Sequence, residues 1–229
     1  MTGRIRKTDT KDFLPVSRAD MLARGWDWYD ILLVTGDAYV DHPSFGAAVI
    51  GRLLEDAGYR VAVLAQPAWH DAAAFEAMGR PELGVFIGAG NLDSMVAHYT
   101  AAKKRRGEDF YSPGRKAGLR PDRACTVYAN RARQAFPGIP VLLGGMEASL
   151  RRFAHYDYWD DKVRRSVIFD ARADILVYGM GERATLEAAN RLRDGKPLRG
   201  IRGTAVIADK APEGAVILPS FEQVREDKK

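Results

Sequence analysis

Four short clusters in this sequence combine glycines with groups that can bind or ionise. Asp37, Asp41 and His42 follow the apolar run DILLVT, and Asn91 and Asp93 follow LGVFIGA. Gly144, Gly145 and Glu147 follow a third apolar run, and Gly179, Gly181 and Glu182 follow DILVY. Carboxylates beside an imidazole suit acid–base work or metal ligation. Paired glycines allow positive φ and let a ligand approach the backbone. Arg151 and Arg152, just beyond Glu147, offer donors to an anionic group. Each cluster alone has a plainer reading. Glycines at strand ends make turns, Asp41 or His42 would cap a helix starting at Pro43, and Asp37 would bond nearby amides. Four such clusters, each at the end of an apolar run, favour one shared ligand-facing edge.

The elements that would hold these groups alternate along the chain. Near-continuous apolar runs at 30–35, 59–65, 83–89, 139–143 and 174–178 suit strands buried on both faces. Helical segments separate them, with Phe45, Val49 and Leu53 marking one helix face and a helix expected from about Asp122 to Ala135. Thr204–Ala208 reads as a last short strand, and Val216–Leu218 as an edge strand. This alternation predicts an α/β, Rossmann-like, doubly wound and mostly parallel sheet of about five or six strands with flanking helices. Open sheets of this kind bind ligands just beyond the carboxyl ends of their strands. Residues 1–29 read as an N-terminal arm and helix, with Ser17 as N-cap. Residues 30–208 form the main domain, and 209–229 a C-terminal tail or a point where a longer protein was cut.

Several chemistries lack their signatures. No GxGxxG fingerprint opens a helix and no GxxxxGK[ST] loop is present, so an NAD or ATP site is not expected. His42, His70, His98 and His155 are dispersed, without metal-binding spacing. His155, among aromatic residues, could shuttle protons or simply pack. Cys125 is the one cysteine, which excludes a disulfide framework and any multi-cysteine cluster within the chain. A basic, polar start and the lack of a long apolar run predict a soluble, cytoplasmic protein without membrane contact.

The segment 101–123 breaks the α/β rhythm. It carries eight Lys and Arg against three acids, with Phe110 and Tyr111 as expected anchors. This basic excursion could grip phosphates or RNA, or serve as a solvated or docking surface.

Longer blocks of sequence make a family visible. VTGDAYVDHPSFG, AQPAW, AGNLDSMVAHYTA, RPDRA, LGGMEASLRRFAHYDYWDDKVRRS and YGMGER occur in order. Together they resemble the amino-terminal region of YgiQ-type radical SAM proteins. The resemblance implies an accessory domain that helps enclose a substrate or cofactor beside a radical SAM barrel, supplied in cis or by a neighbouring chain. That barrel would carry a 4Fe–4S cluster and S-adenosylmethionine on a CxxxCxxC motif, which this sequence lacks. The domain is also similar to cobalamin-binding Rossmann-like domains through Gly144-Gly145-x-Glu147 and Gly179-x-Gly181-Glu182. The DxHxxG motif that ligates cobalt is absent, so ligation by a histidine is not expected. On this resemblance the chain alone is not catalytic. The rival reading is a stand-alone interaction or RNA-binding module acting through 101–123.

Overall fold

The computed structural model describes residues 13–226; residues 1–12 of the expected N-terminal arm and the last three of the tail lie outside them. Helix α1 (Arg18–Ala23) starts at Ser17, whose hydroxyl accepts the Asp20 amide, so the expected cap forms. The chain then alternates through β1 (Ile31–Thr35), α2 (Gly46–Asp56), β2 (Val61–Ala65), α3 (Ala73–Glu76), β3 (Gly84–Gly88) and α4 (Ser94–His98). After the excursion come α5 (Ala124–Ala135), β4 (Val141–Gly144) and α6 (Gly145–Leu150). A small hairpin of β5 (His155–Asp157) and β6 (Lys162–Arg164) precedes α7 (Val167–Asp170), β7 (Ile175–Val177), α8 (Glu182–Arg193), β8 (Thr204–Ala205) and α9 (Phe221–Glu226).

Six strands form one sheet in the order β2-β1-β3-β4-β7-β8. All pairings are parallel except β7 with β8, which is antiparallel. The sheet is the expected mostly parallel, Rossmann-like one. Because β2 and β3 lie on opposite sides of β1, the crossovers diverge there, which opens a crevice at the carboxyl edge between β1 and β3.

Side-chain alternation builds two cores. Leu32, Val34, Ile87, Leu143 and Leu176 pack on one face with Tyr128 and Ala132 of α5. Ile31, Leu33, Phe86, Leu142 and Val177 pack on the other with Leu54 of α2 and Ala188 of α8. The buried positions of α2 are Ala48, Gly51 and Leu54, not the Phe45–Val49–Leu53 stripe expected from sequence. The expected final strand shrinks to two residues, and Val216–Leu218 form no strand. The β7 edge is already occupied by β8, and Val216 is 86% exposed. Among the described residues no helix is long and apolar enough to cross a membrane.

The β5–β6 hairpin was not expected, since its apolar content is small and its order comes from charge. Asp157 accepts the Trp159 and Asp160 amides across the turn, and its other oxygen is 2.8 Å from both the Arg123 and Arg164 guanidinium groups. Burial alone would raise the Asp157 carboxyl, but the Arg123 bond and charge outweigh it and hold it below the usual range.

A glycine-floored cleft at the carboxyl edge

The crevice beyond β1 and β3 is a cleft of about 230 Å³ on the α2/α8 side of the sheet. Leu33, Phe86, Leu142 and Val177 line it from the strands, Phe45, Val49 and Ile50 from the α2 side, and Thr185 from α8. Its interior is therefore largely apolar, with polar groups from Asp37, Asn91, Glu182 and Thr185.

Gly88 and Gly144 are adjacent in the sheet register and occur where side chains would point into this space. A Cβ built at Gly144 meets no atom within 4 Å, and one at Gly88 meets nothing nearer than 3.8 Å. No packing constraint explains their lack of side chains. They keep the floor of the cleft open. Gly36 and Gly90 are glycine for a different reason. A Cβ at Gly36 would lie 2.1 Å from the Ala89 carbonyl oxygen, and one at Gly90 2.0 Å from Asp37 Oδ1. These two let the β1 and β3 loops pass in contact.

The residues singled out in the sequence divide into two sets. Asp37, Asn91, Gly144, Gly145, Gly179, Gly181 and Glu182 line the cleft. Asn91 also ties its walls together: its side-chain amide donates to the Ser44 carbonyl (2.9 Å) and its oxygen accepts the Gly46 amide (3.4 Å). Thus α2 receives its polar cap from a residue on the β3 loop. Asp41 does not cap it. Asp41 pairs with Arg52, and that bond holds its carboxyl below the usual range. His42 is exposed, and its Nδ1 accepts the Ser44 amide.

Asp93, Glu147 and Arg151 lie outside the cleft lining, beside α4 and α5. Asp93 caps α4 by accepting the Met95 and Val96 amides, and Arg151 pairs with its second oxygen. Glu147 is only 1% exposed; its two oxygens accept the Ser94 and Cys125 amides, each at 2.9 Å. One carboxylate thus satisfies first-turn N–H groups of two helices, which have no intrahelical partner. Arg152 donates to the Ser149 carbonyl and stacks over Tyr178, 5.0 Å from the ring centroid. His155 is outside the cleft as well, with Nδ1 near the Phe153 carbonyl; burial lowers its pKa.

Asp37 belongs to both sets. It lines the cleft yet is 2% exposed, and its Oδ2 accepts the Asn91 amide at 2.6 Å. Its Oδ1 is 2.9 Å from Arg120 Nη1, while Arg120 Nε and Nη2 grip Asp109 in a fork at 2.8 and 3.0 Å. Burial pushes the Asp37 carboxyl up despite these partners. For Asp109 burial acts in the same direction, but the Arg120 fork prevails and lowers it. Arg120 is what anchors the excursion to the sheet, together with Tyr111, whose carbonyl accepts the Ala38 amide. Phe110, expected as an anchor, is 71% exposed.

The strand-end glycines and Asn91 were visible as candidates in the sequence; the α2 side of the cleft was not. Its signal was an excess of apolar residues. The helix and its lead-in carry one buried stripe for the core and a second, Phe45, Val49 and Ile50, for the cleft.

Comparison with known proteins decides the lineage. The model of the family described as Radical SAM N-terminal matches residues 13–229. The chain belongs to that family. A UPF0313 protein of Geobacter sulfurreducens is 54% identical over 222 residues, covering 94% of this chain and 37% of the relative. One from Vibrio parahaemolyticus is 56% identical over 214 residues, covering 92% and 28%. The chain spans about a third of the length of these curated relatives. Among solved structures the fold resembles part of TsrM from Kitasatospora setae, a radical S-adenosylmethionine methyltransferase. The form with cobalamin and a 4Fe–4S cluster superposes with TM-score 0.51 at 20% identity, covering 80% of this chain and 29% of TsrM. The form with tryptophan and a SAM analogue gives 0.50 at 22%, covering 78% and 28%.

Proposed function

We propose that this chain is the ligand-enclosing N-terminal part of a radical SAM iron–sulfur protein. Its cleft takes a flat, mostly apolar group of a cofactor or substrate, with the barrel that carries the cluster closing over the carboxyl edge. The observation that carries this reading is the pair of unforced glycines, Gly88 and Gly144, on the floor of an apolar cleft at the topological switch point. Family membership and the greater length of the relatives support the second half of the reading.

The residues of this chain do not fit the iron–sulfur cluster. Its one cysteine, Cys125, is buried, and burial with the nearby Glu147 pushes its thiol far up, away from the thiolate that a metal requires. The cluster ligands therefore belong to the barrel. Cobalamin fits better, because the apolar walls of the cleft suit a planar heterocycle such as its nucleotide base. Phe45 and Ile50 would pack on such a ring, Gly88 and Gly144 would leave room for it, and Asn91 and Glu182 would meet its polar rim. No histidine lines the cleft, so this chain would hold the cofactor without an imidazole on cobalt. When bound, cobalamin supplies a cobalt centre able to carry a one-carbon group; these residues bind, orient and exclude water.

Titration of this chain with hydroxocobalamin, read by absorbance and by retention on gel filtration, tests the corrinoid assignment. A saturable spectral change that Gly144→Leu abolishes is the expected result. No spectral change and no retention would remove cobalamin as the occupant.

A further inference from the structure

The excursion between α4 and α5 carries a second surface, away from the cleft. Of its eight cations, two are used internally: Arg120 by Asp37 and Asp109, and Arg123 by Asp157 and Asp160. The other six, Lys103, Lys104, Arg105, Arg106, Arg115 and Lys116, are all exposed. The salt bridges among the described residues include none of these six. A solvated face of balanced charge would pair some of them. Here the acids nearby are exposed Glu108, and Asp122, which acts on Arg105 without a salt bridge. Lys103 and Arg106 donate only to the Trp159, Val96 and Tyr99 carbonyls and keep their charge uncompensated.

Aromatic rings are interleaved with these cations. Arg105 lies over Tyr99, Tyr99 packs on Trp159 at 5.2 Å, Trp159 on Tyr158 at 5.3 Å, and Lys103 lies over Tyr158. Arg115 lies over Phe110 in the same way. Phe110 and Tyr158 are 71% and 46% exposed. The scaffold under them is fixed. The Tyr158 hydroxyl donates to the Ala101 carbonyl at 2.6 Å, backbone bridges join Tyr99 to Arg105 and Glu108 to Lys116, and Arg120 anchors the base. Ordering such a surface on binding would therefore cost little entropy.

Between the two halves of the excursion is a recess of about 80 Å³ lined by Ala97, His98, Arg105, Arg106, Ala117 and Gly118. His98 is buried; Asp122 holds its Nδ1 at 2.5 Å, and its Nε2 has no partner. Arg106 donates its Nε to the Val96 and Tyr99 carbonyls, which leaves its two terminal nitrogens and the Arg105 guanidinium beside a recess of a size that suits a single phosphate.

We propose that this surface binds single-stranded RNA. Its phosphates take the six cations that make no salt bridge, one phosphate seated at the Arg105–Arg106 recess, and its bases stack on Tyr158 and Phe110. Exposed rings favour a single strand over a duplex, whose bases are already stacked. They also favour RNA over an acidic peptide, whose carboxylates have no use for a ring.

Fluorescence anisotropy of a labelled oligouridylate against this chain, across a potassium chloride series, tests the proposal. Binding should weaken steeply with salt. The variant Lys103→Gln, Lys104→Gln, Arg105→Gln, Arg106→Gln should flatten the slope of log K against log salt by about 3, at ~0.7 per lost phosphate contact. Tyr158→Ala should weaken binding about 10-fold with the slope unchanged. An unaltered thermal midpoint would show that each variant is folded, and Lys103→Arg with Lys104→Arg should retain binding. The proposal is overturned by salt-insensitive binding, by an unchanged slope in the quadruple variant, or by equal competition from polyglutamate. It is likewise overturned if a duplex binds as tightly and Tyr158→Ala has no effect. Gly144→Leu should leave RNA binding intact, so the cleft and this surface can fail independently.

Discussion

The two sides of the sheet's carboxyl edge are built by opposite rules. On the α2/α8 side the chain withholds side chains at Gly88 and Gly144, leaves apolar walls, and makes few polar contacts across the gap. On the α4/α5/α6 side it buries carboxylates and satisfies them fully: Asp93 and Glu147 with helix amides, and Arg151 with Asp93. One side is closed by polar groups that already have partners; the other is an open, largely apolar cleft. Residue type alone is therefore a poor guide to which groups face the cleft. The acids that look most reactive in the sequence mostly hold helices in place, and the least reactive residues shape the cleft.

Substitutions should separate the sides sharply. The largest loss is expected at Arg120, which lies between them. Arg120→Met leaves Asp37 and Asp109 buried without their countercharge and should destabilise by roughly 3–5 kcal/mol in urea unfolding. A loss below ~1 kcal/mol would mean the excursion is not anchored as described. Glu147→Gln should come next. Its new NH₂ cannot accept the second helix amide, so about 1–3 kcal/mol should be lost while the cleft is unchanged. Cobalamin affinity that falls as much as stability in this variant would erase the distinction between the two sides.

Acid should reach the closed side through a smaller effect. Asp109 and Asp157 have folded pKa values below their unfolded ones. Their contribution is present above the unfolded value of ~3.9 and is lost as pH falls through the depressed folded values. Asp37, raised by burial, acts in the opposite sense: it takes up its proton earlier in the folded state and offsets part of that loss. The urea midpoint should therefore fall mainly below pH ~4, and Asp109→Asn should flatten that fall; an unchanged profile would contradict the assignment. The smallest stability change belongs to the open side. Gly144→Leu should shift unfolding by less than ~0.5 kcal/mol, because its Cβ meets nothing, yet it should abolish ligand retention. Gly36→Ala, with backbone 2.1 Å from its Cβ, should be far less tolerated, and comparable tolerance would show that the open and closed glycines do not differ.

Much of the framework was legible in the chain order. The apolar runs give β1, β2, β3, β4 and β7 because a strand buried on both faces needs continuous apolar residues, and all of them but β2 lead into a loop that carries glycine. The hairpin β5–β6 was not legible. It depends on Asp157 meeting Arg123 across 34 residues, and local composition carries no sign of that ion pair. The cap of α2 failed for the same reason. Asp41 and His42 would suit a helix starting at Pro43, but α2 starts at Gly46 with Phe45 at its N-cap, and Asn91, 45 residues from Gly46, makes the bond. Of the two aromatic residues expected to anchor the excursion, Tyr111 does so through its carbonyl and its contact with Phe45, while Phe110 stays exposed; the buried anchor beside Tyr111 is Arg120, which Asp37 and Asp109 neutralise.

The sequence by itself determined a parallel α/β sheet, the positions of its strand-end loops and the absence of cluster-binding cysteines, because periodicity and residue chemistry act locally. Only the tertiary structure decided which of the clustered residues face the cleft. Side-chain direction at a strand end, and the partner that a carboxylate finds, depend on elements brought together from distant parts of the chain. Gly144 and Glu147 are three residues apart in the sequence; the helix turn between them sends one to the open side of the sheet and the other to the closed side.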